Sequence, residues 1–221
     1  MQILIVTGGK IDIDFALDFL KEKKFDEIIA VDGALAFFDK VGSKLKNCGK
    51  PTHIVGDFDT ISTEILEKYK SDPHICCHSF NPEKDYTDTD IAVRLALKLM
   101  KVGGCMTILG ATGTRADHML ANLQLLMLPL RAHIGCEIVD RYNRIRMFEG
   151  SIDIKAPYGK YVSLIPVTEV LEGVDITGFK YPLKNRTVRL GESLCVSNEL
   201  TADHGTISIR KGTALLIEAR D

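Results

Sequence analysis

The sequence predicts an α/β fold: a mostly parallel sheet with helices on both faces over residues 1–142, then an antiparallel β-sandwich or barrel over residues 143–221. Three observations carry that expectation. Up to about Asp140, short apolar runs alternate with segments of helical period, and strands separated by helices join through right-handed crossovers into a parallel sheet. Several of the runs are apolar throughout instead of alternating, as strands covered on both faces are. Beyond about residue 145 no helical period of useful length remains. Short, often alternating runs are separated there by turn residues such as Gly150, Pro157, Gly159 and Gly191, the pattern of an antiparallel β domain.

In chain order, ILIVT (3–7) precedes a helix over about 12–23, and EIIAVD (27–32) precedes one from Ala34 to Val41. HIVGD (53–57) leads to the helical STEILEKYK, and HICCHSF (74–80) to a helix starting near Asp88. MTILGA (106–111) leads to a helix near 117–128, and CEIVD (136–140) closes the alternation. The second part reads as strands RIRMFEG, SIDIKA, KYVSLIP, VLEGVDIT, TVRLG, SLCVSN, GTISIRK and TALLIEA. The boundary falls between Asp140 and Arg146, with no low-complexity linker and no internal repeat.

The charge balance narrows the partners. With 28 basic and 30 acidic residues the net charge is −2, which leaves no electrostatic footprint for nucleic acid or an anionic membrane. No run approaches the roughly 18 apolar residues of a membrane span. The start, MQILIVTGGK, enters a strand without the features of a signal peptide. The six cysteines show no zinc-type spacing. Most lie in strand-like runs, where cysteine behaves as a small buried hydrophobe, so a reducing cytoplasm is expected.

Three stretches hold acids just after strands: GDFDT (56–60), KDYTDTD (84–90) and GATGTRADH (110–118). Carboxylates gathered at strand ends repel; at roughly 4 Å and an effective dielectric near 20, each pair costs about 4 kcal/mol. Such a group persists most easily around a divalent cation, and an oxygen-only set suits magnesium. The turn holding Gly110 and Gly113 opens a helix whose N–H groups can bind phosphate, and Arg115 adds a forked cation suited to phosphate oxygens. Phosphate-transfer chemistry is therefore expected.

Each stretch also has a plainer reading. GDFDT can be an ordinary turn, with Asp59 or Thr60 capping the next helix. Thr87 and Asp90 have capping-box spacing, which leaves Asp85 and Asp88 unexplained. Asp117 is expected as an N-cap and His118 as a surface residue, while Asp32 either reaches a nucleotide or metal-bound water or caps its own helix. TGGK (7–10) is too short for a Walker A loop, and GxxxxGK[ST] is absent. By residue type alone, GFKYPL (178–183) and SNE (197–199) are solvent-facing loop segments. The chain has no Trp, so any aromatic platform for a ring must be Phe, Tyr or His.

Taken in order, GDFDT, KDYTD, GATGTRADHMLANLQLL, SLIP (163–166), GFKYPL and SNE resemble the thiamine pyrophosphokinase family, whose third motif runs approximately GxxGGRxDHxxANxxLL. The resemblance spans nearly the whole chain. It implies ATP + thiamine → thiamine diphosphate + AMP in a cytoplasmic homodimer, with thiamine at an interface between N-terminal and C-terminal domains. For that reaction Asp57, Asp59 and Asp85 are expected to hold Mg2+, directly or through water, with Asp88 either sharing the metal or accepting the hydroxyl proton, and Arg115 on the phosphates. Asp32, Lys84, Gly110, Thr112, Gly113, Asp117 and His118 are then expected around the nucleotide, and Ser197 and Asn198 on thiamine. Two positions depart from the family. Thr60 replaces the usual Ser and keeps the hydroxyl, whereas Thr114 replaces the second Gly of GGR and is strained if that position needs positive φ. Two alternatives stay open: a pyrophosphokinase for another primary alcohol, such as a hydroxymethylpterin, and a non-catalytic nucleotide- or thiamine-binding regulator.

Overall fold

The structure, a computed structural model, describes residues 1–45, 48–80, 85–101 and 103–221. The chain divides into two compact units, Met1–Arg141 and Tyr142–Asp221.

In the first unit the strands are β1 (Gln2–Val6), β2 (Glu27–Val31), β3 (His53–Gly56), β4 (Cys76–Ser79), β5 (Cys105–Leu109) and β6 (Gly135–Val139). They lie in the order β4-β3-β2-β1-β5-β6, and every neighbouring pair is parallel. Ile3, Leu4, Ile5 and Val6 of the central β1 are wholly buried, because both faces of the sheet are covered. The edge strand β4 differs: Cys76 and Cys77 are exposed rather than buried as their apolar run suggested, since an edge strand has only one strand neighbour to cover it.

The connecting helices are α1 (Ile13–Leu20), α2 (Ala34–Val41), α3 (Thr63–Lys70), α4 (Asp88–Leu99), α5 (Ala116–Leu125) and α6 (Met127–Arg131). Asp12 caps α1, its side chain accepting the Phe15 N–H at 2.9 Å. Ser62 is the N-cap of α3, so neither Asp59 nor Thr60 takes that place. The helix expected over 117–128 is two helices that meet at Leu126. Pro129 lies in the first turn of α6, where its missing N–H costs little, whereas inside one long helix it would break the hydrogen-bond ladder.

The second unit holds β7 (Asn143–Phe148), β8 (Ser151–Ile154), β9 (Tyr161–Pro166), β10 (Val170–Thr177), β11 (Leu183–Arg189), β12 (Gly205–Ser208) and β13 (Ala214–Ala219). β13 pairs antiparallel with β7 and β9, and the other four run β11-β10-β12-β8, also antiparallel. Side chains from both groups, among them Phe148, Leu164, Leu216, Val174, Val188 and Ile207, form one buried core. Of the sandwich or barrel that the alternation predicts, this is the sandwich. SLCVSN, expected as a strand, is not one. Ser197 has φ 59°, which ends any extended run, and only a bridge between Val162 and Asn198 remains.

Candidate active site

Parallel strands all present their C-terminal ends at one edge, and ligands gather there where the strand order reverses. In the first unit the chain steps outward from β1 to β4 and then returns to place β5 on β1's other side. The reversal therefore lies between β1 and β5. The loops that follow these strands, Thr7–Lys10 and Gly110–Arg115, line a cleft of about 720 Å³. They press closely together. A Cβ on Gly9 would fall 2.0 Å from the Gly110 carbonyl oxygen, and one on Gly110, which has φ +78°, 2.7 Å from that of Thr7. Only glycine fits either place. The same cleft takes in Asp32, Asp57 and Thr60 from the ends of β2 and β3, and Asp85 and Tyr86 from just before α4 with Asp88 and Thr89 from its first turn.

Asp32, Asp57 and Asp59 each bring an oxygen within 4.8 Å of the others'. Adjacent strands cause this meeting: β2 pairs with β3, so the residues just past their ends are neighbours. Gly56 lets the chain pass close, since a Cβ there would meet the Asp32 Cα at 3.2 Å. Asp32 itself sits in the left-handed region at φ 44°, a conformation aspartate tolerates better than most residues. Its Oδ2 accepts a hydrogen bond from the Thr60 hydroxyl at 2.7 Å. Its Oδ1 is buried without a hydrogen-bond partner. The charges are felt. The Asp59 carboxyl is pushed above the usual carboxylate range, first by Asp57, then by loss of solvent and by Asp32, with Asp88 adding to the effect. A buried unpaired oxygen within an oxygen-only donor set fits a hard divalent cation such as magnesium.

The expected metal set was Asp57, Asp59 and Asp85, whereas the structure groups Asp32 with Asp57 and Asp59 and leaves Asp85 on the cleft wall outside that group. Asp88 opens α4 on the same wall. Thr87 caps that helix as its spacing predicts, its hydroxyl accepting the Asp90 N–H at 3.2 Å. The Asp90 carboxylate, instead of reaching back, takes Arg94 one turn on. Lys84 lies outside the described residues.

Arg115 and His118 line the cleft. Asp117 is not the N-cap of α5; Arg115 holds that place. Asp117 lies in the first turn, where its carboxylate takes the Arg115 guanidinium and the His118 N–H. Those bonds, Arg115 first, hold its carboxyl down at about 2. The Thr112 hydroxyl is turned to Asp140 at 2.6 Å. Thr114 lines the cleft and is not among the residues with positive φ, so threonine is unstrained there. Tyr86 and His118 are the ring side chains at this cleft among the described residues, and Arg94 stacks on the Tyr86 ring.

In the second unit Ser197 is exposed and its N–H donates to the Ser163 hydroxyl at 2.9 Å. Asn198, in contrast, is 6% exposed. Its Oδ1 accepts from the N–H groups of Tyr181 and Glu199, and its Nδ2 donates to the Tyr181 carbonyl. The Asn198 amide thus staples the GFKYPL segment to the SNE segment.

Residue-type reasoning missed two contributors. TGGK is no Walker loop, yet it forms one wall of the cleft; its signal is a glycine pair directly after a strand. Asn122, from the ANxxLL part of the third motif, is buried and donates to the Ala111 carbonyl at 2.9 Å, holding the Gly110–Thr112 turn in place from α5.

Comparison with known proteins bears on the same two units. A family model described as "Thiamin pyrophosphokinase, catalytic domain" matches residues 18–138, and one described as "Thiamin pyrophosphokinase, vitamin B1 binding domain" matches residues 149–214. The thiamine pyrophosphokinase of Bacillus subtilis (strain 168) is 40% identical over 174 residues, covering 77% of this chain and 79% of that protein. The crystal structure of thiamine pyrophosphokinase from Bacillus subtilis superposes with a TM-score of 0.85 at 33% identity, over 100% of both chains. Thiamin pyrophosphokinase from Candida albicans shares the fold, with a TM-score of 0.80 at 16% identity over 99% of this chain and 90% of that one.

Proposed function

The chain belongs to the thiamin pyrophosphokinase family, and we propose from that premise that Asp32, Asp57 and Asp59 hold the magnesium ion that accompanies ATP. The chain is an enzyme of this type, transferring the pyrophosphoryl group of ATP to thiamine. The observation that carries the site reading is the meeting of three carboxylates at the edge of the cleft. Bound there, magnesium neutralises polyphosphate charge. Asp85, on the wall outside the group, would act on it through water.

The protein's own part is positioning and charge stabilisation, as in other phosphoryl transfers. The thiamine hydroxyl oxygen forms a bond to the β-phosphorus, and the bond from that phosphorus to the oxygen bridging the α-phosphate breaks. AMP leaves with the electron pair. In our reading Asp88 accepts the hydroxyl proton, and Arg115 with the backbone N–H groups of the Gly8–Gly9 and Gly110–Gly113 loops steadies the phosphate oxygens. The match of residues 149–214 to a vitamin B1 binding domain supports Ser197 as a thiamine contact. The buried staple made by Asn198 supports a role in shaping that segment.

A homodimer belongs to the same reading. Leu190, Leu194, Val196 and Tyr181 are large apolar side chains left exposed close to Ser197 in sequence or through the staple, a surface a second copy of the chain would cover. A reducing cytoplasm suits the exposed thiols of Cys76 and Cys77. Among the described residues no helix is long and apolar enough to cross a membrane.

The decisive experiment incubates the protein with ATP, magnesium and thiamine and follows the products by mass spectrometry. AMP and thiamine diphosphate should appear in equal amounts, and chelation of the metal should abolish both. ATP consumption without thiamine diphosphate would reject the reading, and product formation indifferent to chelation would reject the metal part of it. Light scattering at micromolar concentration tests the dimer.

A further inference from the structure

Thr60 follows Asp59 in the chain and hydrogen-bonds to another member of the acid group, Asp32. The hydroxyl donates to Asp32 Oδ2 at 2.7 Å, and the Asp32 N–H donates to the Val55 carbonyl at 2.9 Å. The backbone is thereby tied to β3 and one carboxylate oxygen to the loop that follows it. The second oxygen, Oδ1, is buried and has no hydrogen-bond partner. A buried acceptor without a partner is costly, and Asp32 also holds a positive φ, which adds strain. A carboxylate free to rotate would relieve the cost by turning Oδ1 to a donor or to water. The Thr60 bond opposes that rotation.

We propose that Thr60 is a positioning residue whose hydroxyl clamps one oxygen of Asp32, leaving the other as the atom offered to the cation. This rests on the magnesium reading given above for Asp32, Asp57 and Asp59. Threonine suits the task because its β-branch restricts χ1, so the hydroxyl direction is held by the side chain's own rotamer. Gly33 leaves room beside the hydroxyl, since a Cβ built there would lie 3.6 Å from Thr60 Oγ1, so the rotamer and the bond to Asp32, rather than crowding, fix its direction. Outer partners that orient a metal-binding carboxylate commonly change metal affinity by about 10–100-fold when removed.

The test measures Mn2+ binding to the full-length protein without nucleotide, by loss of the free-ion electron paramagnetic resonance signal, beside the melting temperature of the metal-free protein. Thr60→Val keeps the shape and removes the hydroxyl, Thr60→Ala removes both, and Thr60→Ser keeps the hydroxyl. Affinity should fall by about tenfold or more in Thr60→Val and Thr60→Ala and stay within about threefold of wild type in Thr60→Ser, with metal-free melting temperatures unchanged. Asp32→Asn should lose binding. Wild-type affinity in Thr60→Val alongside loss in Asp32→Asn would overturn the positioning role and leave the metal reading standing. Affinity lost only in step with melting temperature would also overturn it, marking Thr60 as structural. No binding by the wild type, or full binding by Asp32→Asn, would remove the metal reading and the proposal together.

Discussion

The guanidinium of Arg115 is clasped by the carboxylate of Asp117, with Nη2 at 2.6 Å and Nε at 3.2 Å. The pair stands at the start of α5, beside the cleft, and both side chains are about two-thirds exposed. An exposed ion pair of this kind adds little to stability. Its effect is on direction: Asp117 occupies one edge of the guanidinium and sets where the rest of it points.

Arg115→Ala should therefore lower turnover by two to three orders of magnitude, about 3–4 kcal/mol of transition-state stabilisation, while the melting temperature hardly moves. Arg115→Lys should recover little, because a point charge lacks the fork. The clasp has a pH signature as well. The Asp117 carboxyl is held at about 2, below its ordinary value of 3.8, so whatever the pair contributes is complete above that ordinary value and is lost as pH falls towards 2. Carboxyl titration by NMR measures it directly.

Asp59 carries the opposite sign. Its carboxyl is pushed up from 3.8 by Asp57 and Asp32. The folded protein therefore favours its protonated form, and the stability it lends is complete below about 3.8 and lost as pH rises through the raised value. In metal-free protein at neutral pH, Asp59→Asn should raise the melting temperature, and the gain should vanish near pH 3. Magnesium should stabilise the wild type by binding the native state and should do so less in Asp59→Asn. Asp57→Asn should keep the fold and lose both turnover and its magnesium dependence. Scanning calorimetry with and without the metal tests all of this, and near-normal turnover in Asp57→Asn would break the metal assignment.

Gly9 tests the junction of the two phosphate-side loops. An added Cβ lies 2.0 Å from the Gly110 carbonyl oxygen, so Gly9→Ala must separate the loops after β1 and β5. A loss of about 1–3 kcal/mol in stability, with a marked rise in KM for ATP, is expected. Gly42→Ala, with nothing within 4 Å of the new atom, should fall within about 0.5 kcal/mol of wild type.

Asn198→Ala removes the buried amide that ties Tyr181 in place. Its partners lose their hydrogen bonds inside the protein, costing about 1–3 kcal/mol. KM for thiamine should rise while KM for ATP stays level. Steady-state kinetics with each substrate varied in turn distinguishes this from general unfolding, which would change both.

Much of this architecture was legible in the chain. Strands such as ILIVT announced a sheet buried on both faces, Thr87 announced the start of α4, and the acids announced themselves by standing immediately after strands. These are local features, set by the periods of 3.6 and 2 residues and by capping chemistry within one turn. The resemblance of the motifs to one family is likewise a property of the linear sequence.

What the chain could not declare was who meets whom. Asp32 joins Asp57 and Asp59 because β2 and β3 are side by side, and TGGK becomes a cleft wall because the strand order reverses between β1 and β5. Strand order is a property of the assembled sheet, absent from any single segment. Asn198 likewise looked like a loop polar residue until the second unit buried it against Tyr181. Local sequence sets which side chains stand at the ends of elements, whereas only long-range packing brings those ends to one point, and a metal or phosphate site exists only where they converge.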